Sequence, residues 1–188
     1  MKKKLLLDVD YVICDSGYLA LLNEFTKKNY KLEDFKLAYL EEEVIKSEAE
    51  RKKFYKFMAD KNPLEYTEIY ADAKKVIKKL YDKYDLYICS NCAVEGFKQS
   101  SGNHFKFKYE FLIKNFPYID IKKFILTGSK NLFDVDIQID DNIKHLQNNT
   151  EQKFLYTAYY NKNYTDEYLK QNNITRVNSW KEIADLLL

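Results

Sequence analysis

The chain has 188 residues, of which 46% are hydrophobic: enough for one α/β domain with a modest insertion, and too many for a largely disordered protein. Its 31 basic and 29 acidic side chains leave a formal net charge of +2, which argues against a protein that binds a nucleic-acid polymer. The sequence contains no apolar run long enough to span a membrane and no complete secretory signal, so we expect a cytoplasmic protein with reduced cysteines.

The first predicted element is a strand within residues 4–12, an apolar run that carries Asp8 and Asp10. A run of this kind suits a strand that is buried on both faces of a parallel sheet. Because side chains alternate along a strand, both carboxylates are expected on the same side of its C-terminal end, where open α/β sheets bind ligands. Two adjacent negative charges need a compensating cation, which indicates a divalent metal.

The next part of the chain is predicted to be a helical insertion. Residues 16–29 have helical apolar spacing behind a serine, and residues 32–62 are strongly charged, lack a strand pattern and end before Pro63. We interpret 16–70 as a small helical cap, which either covers the site or is a surface excursion. The core domain would then comprise residues 1–15 and 71–188.

Beyond Pro63, predicted helices alternate with predicted strands, and a polar loop is predicted over 92–104. The helices cover 71–83, 105–115, 165–171 and 179–187, the strands cover 85–90, 124–127, 136–140 and 154–157, and a short run at 175–177 lies between the last two helices. This alternation predicts an α/β fold: a doubly wound (Rossmann-like) parallel sheet with a small helical cap inserted after the first strand.

Three later strands also end in polar residues, namely Ser90-Asn91, Gly128-Ser129-Lys130 and Asp140-Asp141. In a parallel sheet these ends converge on one crevice with Asp8 and Asp10. Carboxylates, a hydroxyl group and an amine collected in this way suit phosphoryl transfer, which requires charge neutralisation and an in-line nucleophile. An aspartate can be that nucleophile and form an aspartyl-phosphate.

The order and spacing of these motifs resemble the haloacid dehalogenase-like phosphatases, and within them the 5'(3')-deoxyribonucleotidases. The segments that carry the resemblance are Asp8-Val9-Asp10, Ile88-Cys89-Ser90-Asn91, Lys108-Tyr109-Glu110-Phe111, Phe124-Ile125-Leu126-Thr127 with Lys130, and Asp136-Ile137-Gln138-Ile139-Asp140-Asp141. The similarity extends over nearly the whole chain and is least clear in 16–70.

The resemblance implies roles for the four aspartates. Asp8 would be the nucleophile and a ligand of Mg²⁺. Asp10 would protonate the leaving group, activate the water and face the metal through its backbone carbonyl group. Asp140 would bind Mg²⁺ directly, and Asp141 would support it through water.

The resemblance also implies a site for the substrate's phosphate group. Ser90, the Asn91 amide group and Lys130 would hold it, and Lys108 is a further candidate. The implied function is an Mg²⁺-dependent phosphomonoesterase that hydrolyses nucleoside monophosphates. The alternatives are a phosphatase for another small phosphate ester and a non-catalytic phosphate-binding or regulatory module on the same fold.

Two positions differ from the family pattern. Tyr11 follows the second aspartate, where the superfamily often has glycine, so an altered turn is expected there. Ser16 stands near the place where the deoxyribonucleotidases have an aromatic residue that contacts the base, which leaves the base preference open.

Other candidate sites are weaker. Cys89 and Cys92 form a Cys-x-x-Cys pair that could be redox-active, but no thioredoxin-like pattern surrounds it, so we interpret both thiols as buried or incidental. His104 and His145 are too far apart in the sequence for a typical zinc pair, and neither is assigned a function.

Overall fold

The computed structural model describes residues 1–94 and 98–188. Within these ranges six parallel strands form one sheet: β1 (Lys4–Leu7), β2 (Asp85–Ser90), β3 (Phe124–Leu126), β4 (Ile137–Asp140), β5 (Gln152–Tyr156) and β6 (Ile174–Val177). Their order across the sheet is β3-β2-β1-β4-β5-β6. From β1 the chain therefore adds β2 and then β3 on one side. It then crosses to the other side of β1 and adds β4, β5 and β6. The crevice between β1 and β4 is the switch point at which such sheets bind ligands, and the predicted doubly wound parallel sheet is confirmed.

The α-helices of the described ranges flank this sheet or lie between β1 and β2. They are α1 (Tyr18–Thr26), α2 (Leu40–Val44), α3 (Glu48–Met58), α4 (Ala73–Lys83), α5 (Lys98–Asn115), α6 (Asp166–Gln171) and α7 (Trp180–Leu187). Short 3₁₀ turns follow β3 at Lys130–Leu132 and β4 at Ile143–Leu146. No helix in the described part of the chain combines the length and the apolar character needed to cross a membrane.

The core is centred on β1, whose Leu5, Leu6 and Leu7 are at most 2% exposed. Because successive side chains point to opposite faces, Leu5 and Leu7 join the main core cluster, whereas Leu6 packs in a smaller cluster with Cys89. Helix α7 anchors the chain that follows β1, since the indole Nε1 of Trp180 donates a hydrogen bond to the Val12 carbonyl oxygen over 2.9 Å.

Helices α1 to α3 enclose a hydrophobic cluster of their own. Its buried members include Leu22 from α1, Leu40 from α2, and Phe54 and Met58 from α3. Phe54 is completely buried, and its ring lies 5.3 Å from that of Phe25. This cluster is distinct from the main cluster of the sheet, but it also includes Val94, which follows β2, and Leu64 belongs to the main cluster. The division of the chain at residues 16 and 70 stays a prediction.

The structure corrects two local predictions. The first strand ends at Leu7 rather than continuing to Val12, because the chain turns after Asp8 and Tyr11 adopts a positive φ of 56°. The loop predicted over 92–104 is wrong from Lys98 onward, where α5 begins, and residues 95–97 lie outside the described residues. Gly102 caused this error: glycine costs about 1 kcal/mol in a helix, but this one faces open space and longer-range packing decides the conformation.

Candidate active site

A buried lysine joins two of the predicted carboxylates. Lys130, which is 1% exposed in the 3₁₀ turn after β3, places its Nζ 2.7 Å from Asp8 Oδ1 and 2.8 Å from Asp140 Oδ2. Asp8 follows β1 and its amide group bonds to the Ile139 carbonyl oxygen of β4 at 3.0 Å, which keeps the two strand ends in register. The lysine thus compensates two negative charges that the sheet forces together.

The pKa values in this centre indicate more negative charge than one lysine neutralises. Burial raises the pKa of Asp8 to about 6, although Lys130 acts in the opposite direction. Burial also disfavours the charged form of Asp140, but Lys130 and His145 outweigh it and hold the pKa of that carboxyl below its usual range. Burial would lower the pKa of Lys130, but Asp8 and Asp140 raise it above the usual value, so this side chain stays charged.

A second ion pair forms around Asp10. The Nζ of Lys108, from the middle of α5, lies 2.6 Å from Asp10 Oδ1 and 2.7 Å from Asp10 Oδ2. The hydroxyl group of Ser90, at the end of β2, donates to Asp10 Oδ2 over 3.1 Å. Burial would lower the pKa of Lys108, but Asp10 more than offsets it and raises that pKa. The charged lysine and the serine hydroxyl therefore meet at Asp10, which faces the crevice.

Asn91 and Asp141 complete the predicted set. Asn91 is exposed, its Oδ1 accepts a hydrogen bond from the Ala93 amide at 3.1 Å, and its side chain lies beside Gly128. Asp141 is buried and accepts a 2.6 Å hydrogen bond from the Tyr160 hydroxyl group. Burial, together with the charges of nearby Asp8 and Asp140, raises the pKa of Asp141 well above its usual value.

The ligand atoms of Asp8, Asp140 and His145 all lie within 4.8 Å of one another and could hold a metal ion. Two buried carboxylates supply the hard oxygen atoms that Mg²⁺ prefers. Because these buried carboxylates lie close together at the strand ends, this donor set fits a divalent cation. The Asp10 carboxylate pairs with Lys108 instead of belonging to this group.

A cavity of about 210 Å³ lies next to the ion pair of Asp10 and Lys108. Asp10, Asn91 and Lys108 line it. Tyr18 and Tyr39, from the segment between β1 and β2, also line it. The cavity therefore joins charged groups that suit a phosphate to aromatic surface that suits an organic group.

The strand ends and α5 bring the sequence-predicted residues to one edge of the sheet, where Asp8, Lys130 and Asp140 form one ion-paired group and Asp10 and Lys108 form another. Among the described residues, Asn91 and Asp141 lie beside these groups without an ion pair to them. Sequence reasoning missed His145, whose Nδ1 lies 3.0 Å from Asp140 Oδ1. The sequence feature that could have indicated this contact is the position of His145, five residues after Asp140 and within the turn that follows β4. It also gave no role to Tyr160, for which no motif signals a contact with Asp141.

Tyr11 and the cysteines are structural neighbours of this site. The left-handed Tyr11 packs edge-on against the rings of Tyr159 and Tyr160, with centroids 5.2 and 6.3 Å away, and the contacts offset part of the strain of its backbone. Cys89 and Cys92 are buried free thiols, and burial raises the pKa of each to about 12. Neutral thiols of this kind are poor nucleophiles.

Several proteins with similar sequences are named as 5'(3')-deoxyribonucleotidases or putative ones. The chain is 28% identical to the 5'(3')-deoxyribonucleotidase of Bacillus subtilis over 190 residues, which covers 100% of both proteins. It is 31% identical to a putative 5'(3')-deoxyribonucleotidase of Staphylococcus aureus over 123 residues, or 65% of this chain. That match spans 61% of the length of the S. aureus protein.

Solved structures share the fold at low sequence identity. A haloacid dehalogenase-like family protein from Streptococcus pneumoniae superposes with a TM-score of 0.60 at 12% identity, covering 98% of each chain. A haloacid dehalogenase-like family hydrolase from Xanthomonas campestris gives a TM-score of 0.58 at 11% identity, covering 99% of this chain and 94% of the other.

The model of one protein family matches nearly the whole chain. It is described as 5' nucleotidase, deoxy (pyrimidine), cytosolic type C, a family of phosphoric monoester hydrolases, and it matches residues 2–188. The resemblance inferred from the strand-end motifs is thereby confirmed. The chain belongs to the deoxy (pyrimidine) 5'-nucleotidase family, cytosolic type C.

Proposed function

We propose that the protein is an Mg²⁺-dependent phosphomonoesterase that hydrolyses nucleoside monophosphates in the manner of a 5'(3')-deoxyribonucleotidase. The observation that carries this proposal is the buried Asp8 carboxylate at the end of β1, in contact with Lys130 and next to Asp140. An oxygen nucleophile beside a fixed cation and a metal-binding carboxylate is the arrangement that phosphoryl transfer requires.

In the proposed reaction, Asp8 attacks the phosphorus atom and the bond to the ester oxygen breaks, giving an aspartyl-phosphate. Asp10, which is paired with Lys108 in the free protein, takes up a proton from solvent as substrate binds and gives it to the departing alkoxide. It then accepts a proton from water, which attacks the same phosphorus atom, releases phosphate and regenerates the Asp8 carboxylate. The Ser90 hydroxyl group, 3.1 Å from Asp10 Oδ2, supports this role because it orients the Asp10 carboxyl group.

The phosphate group would be held by Ser90, Asn91, Lys108 and Lys130. Lys130 is fixed by two ion pairs, so it provides positive charge without having to reorganise during the reaction. Lys108 is buried and bonded to Asp10, and an incoming phosphate would share its three N–H donors.

Asp8, Asp140 and the backbone carbonyl group of Asp10 would hold Mg²⁺, with Asp141 acting through water. When bound, the cation neutralises negative charge on the phosphoryl oxygens. The proximity of the Asp8 and Asp140 carboxylates and the raised pKa of Asp8 support a cation at this place.

The aromatic side of the cavity supports a nucleoside as the leaving group. Tyr18, Tyr39 and Phe107 line it, and aromatic side chains stack on bases without strong sequence preference. Ser16 also lines the cavity but offers no ring, so base selection would depend on the other residues.

The test is phosphate release from a panel of ribo- and deoxyribonucleoside monophosphates and sugar phosphates, with Mg²⁺ or with excess EDTA. We expect turnover of nucleoside monophosphates that requires Mg²⁺, and a loss of at least about 10³-fold in Asp8→Asn, which removes the nucleophile but keeps the shape. Lys144→Ala, an exposed position, is the control and should retain activity.

The other outcomes are informative. Turnover of sugar phosphates alone would replace the nucleotide assignment with another small phosphate ester. Phosphate binding without turnover of any ester would favour a non-catalytic module. Full activity of Asp8→Asn would contradict the proposed nucleophile.

A further inference from the structure

We propose that His145 is a positioning residue for the metal centre: its imidazole ring fixes the Asp140 carboxylate in the orientation that binds the divalent cation. This inference rests on the proposed function, because it assumes that Asp140 is a metal ligand. It adds a residue from outside the strand-end motifs to the site.

The position of His145 is determined by the turn that follows β4. Asn142 begins this turn, and its Oδ1 accepts a hydrogen bond from the Lys144 amide at 3.1 Å. Ile143 and Leu146, which are 4% and 0% exposed, anchor the turn in a hydrophobic cluster. His145 lies between these anchors, with its side chain 26% exposed, and its Nδ1 comes within 3.0 Å of Asp140 Oδ1.

The tautomer of His145 follows from its partner. Asp140 accepts hydrogen bonds from the Lys130 ammonium group and the Asn142 amide, and a carboxylate paired with a lysine in this way can only accept. Nδ1 must therefore carry the hydrogen atom in the contact with Asp140 Oδ1. The ring then acts on the carboxylate as a donor, in the same way as the nearby backbone amide of Asn142, which donates to the same oxygen over 2.9 Å.

Three donors define the orientation of the Asp140 carboxylate. Asn142 and His145 donate to Oδ1, and Lys130 donates to Oδ2 over 2.8 Å. Oδ1 accepts two of these bonds and Oδ2 accepts one, so a lone pair of Oδ2 remains for a cation. Without the imidazole donor, the carboxylate would have to be ordered by the cation itself, which weakens binding.

Direct coordination by His145 through Nδ1 conflicts with this contact, because a nitrogen that donates its hydrogen atom to Asp140 has no lone pair for a metal. In this tautomer the lone pair lies on Nε2, so a second readout must test for a nitrogen ligand directly. Hydrogen-bond partners that hold ligands in this way typically contribute 10- to 100-fold to metal affinity.

The first experiment measures dissociation constants of Mg²⁺ and Mn²⁺ for the whole metal-free protein by calorimetry, without substrate. We expect His145→Ala to weaken Mg²⁺ binding by about 10- to 100-fold. His145→Asn should stay within about threefold of the natural protein, because the asparagine Nδ2 is the same number of bonds from Cα as the imidazole Nδ1 and can donate to Asp140 in its place. Lys144→Ala, the exposed neighbour in the same turn, should bind as the natural protein does.

A second readout separates positioning from coordination. Pulsed electron paramagnetic resonance of the Mn²⁺-loaded protein detects nitrogen atoms bonded to the metal. The chain has only two histidines, so a histidine signal could be assigned with one substitution. We expect no nitrogen bonded to Mn²⁺, and a directly coordinated nitrogen that disappears in His145→Asn would overturn the positioning role.

The outcomes separate this inference from the proposed function. If the natural protein binds Mg²⁺ and His145→Ala binds it equally well, the role of His145 is wrong while the metal site stands. If the natural protein itself binds neither cation, the metal part of the proposed function fails first. Weak binding by both His145→Ala and His145→Asn would show that the Nδ1 donor alone does not explain the effect, and would also contradict the inference.

Discussion

Lys130 is a fully buried lysine that two carboxylates retain in the charged state. A cation without partners could not remain there, because desolvating an ion costs several kcal/mol. Its contacts with Asp8 and Asp140, at 2.7 and 2.8 Å, offset that cost. In the metal-free protein, Lys130 is thus the main counter-charge of the site as well as a candidate phosphate contact.

We therefore expect Lys130→Met to destabilise the metal-free protein by about 3–5 kcal/mol at pH 7.5, since the substitution leaves two buried carboxylates without their partner. The measurement is urea unfolding in EDTA, followed by circular dichroism. Lys122→Met, in the exposed turn before β3, is the control and should change the free energy of unfolding by less than about 0.5 kcal/mol. Equal stability of the two variants would show that Lys130 does not compensate these charges.

At the level of elements, the strand ends could be predicted well and the connections less well. The apolar run Leu5–Leu7 and the segment Ile137–Ile139, which is apolar except for Gln138, are short, fully buried strand segments, so the order of the elements followed from local pattern. Because parallel strands end at one edge, the positions of Asp8, Ser90 and Asp140 followed as well.

What the sequence did not predict depends on contacts between distant residues. The first two turns of α5 contain residues of low helical propensity, and the helix forms there because of its surroundings. His145 carries no recognisable motif, and its contact with Asp140 exists only once the turn after β4 has folded. Likewise, the ion pair of Lys108 with Asp10 joins residues 98 positions apart.

Helices α1 to α3 should behave as a separate folding unit, because Phe54 and its neighbours form a cluster distinct from the core of the sheet. We expect Phe54→Ala to cost about 3–5 kcal/mol locally. Amide hydrogen exchange should therefore become faster in α1 and α3, while β1 and β4 keep their protection.

The matched control is Tyr66→Ala, which removes a side chain that is 50% exposed in the same segment and should leave the exchange pattern unchanged. Mass spectrometry of the exchanged protein reads both regions in one experiment. If exchange in β1 and β4 rises as much as in α1 and α3, the segment 16–70 folds together with the sheet and the proposed division of the chain is wrong.

For the whole molecule, the buried carboxyl groups of Asp8 and Asp141 should make the free energy of unfolding depend on both pH and bound metal. Burial raises the pKa of Asp8 from 3.8 to about 6, so the folded metal-free protein holds this proton more tightly than the unfolded chain does. The contribution of Asp8 to stability is therefore complete below about pH 4 and is lost as the pH rises through 6. The loss is on the order of 2–3 kcal/mol. Asp141, whose pKa is also raised, acts in the same direction.

The effect of Asp8→Asn on the free energy of unfolding should therefore change with pH and with bound metal, and urea unfolding can measure both changes. Asn at position 8 resembles the protonated aspartate, so in EDTA we expect Asp8→Asn to come close to the natural protein at about pH 4 and to exceed its free energy of unfolding by about 2–3 kcal/mol at pH 7.5. Saturating Mg²⁺ should stabilise the natural protein at pH 7.5, by about 2.7 kcal/mol at a hundredfold excess over the dissociation constant. It should stabilise Asp8→Asn far less, because that variant lacks the carboxylate proposed to bind the metal, and the advantage of the variant should disappear. If Asp8→Asn were less stable than the natural protein at pH 7.5 without metal, the surplus negative charge inferred for this site would be ruled out.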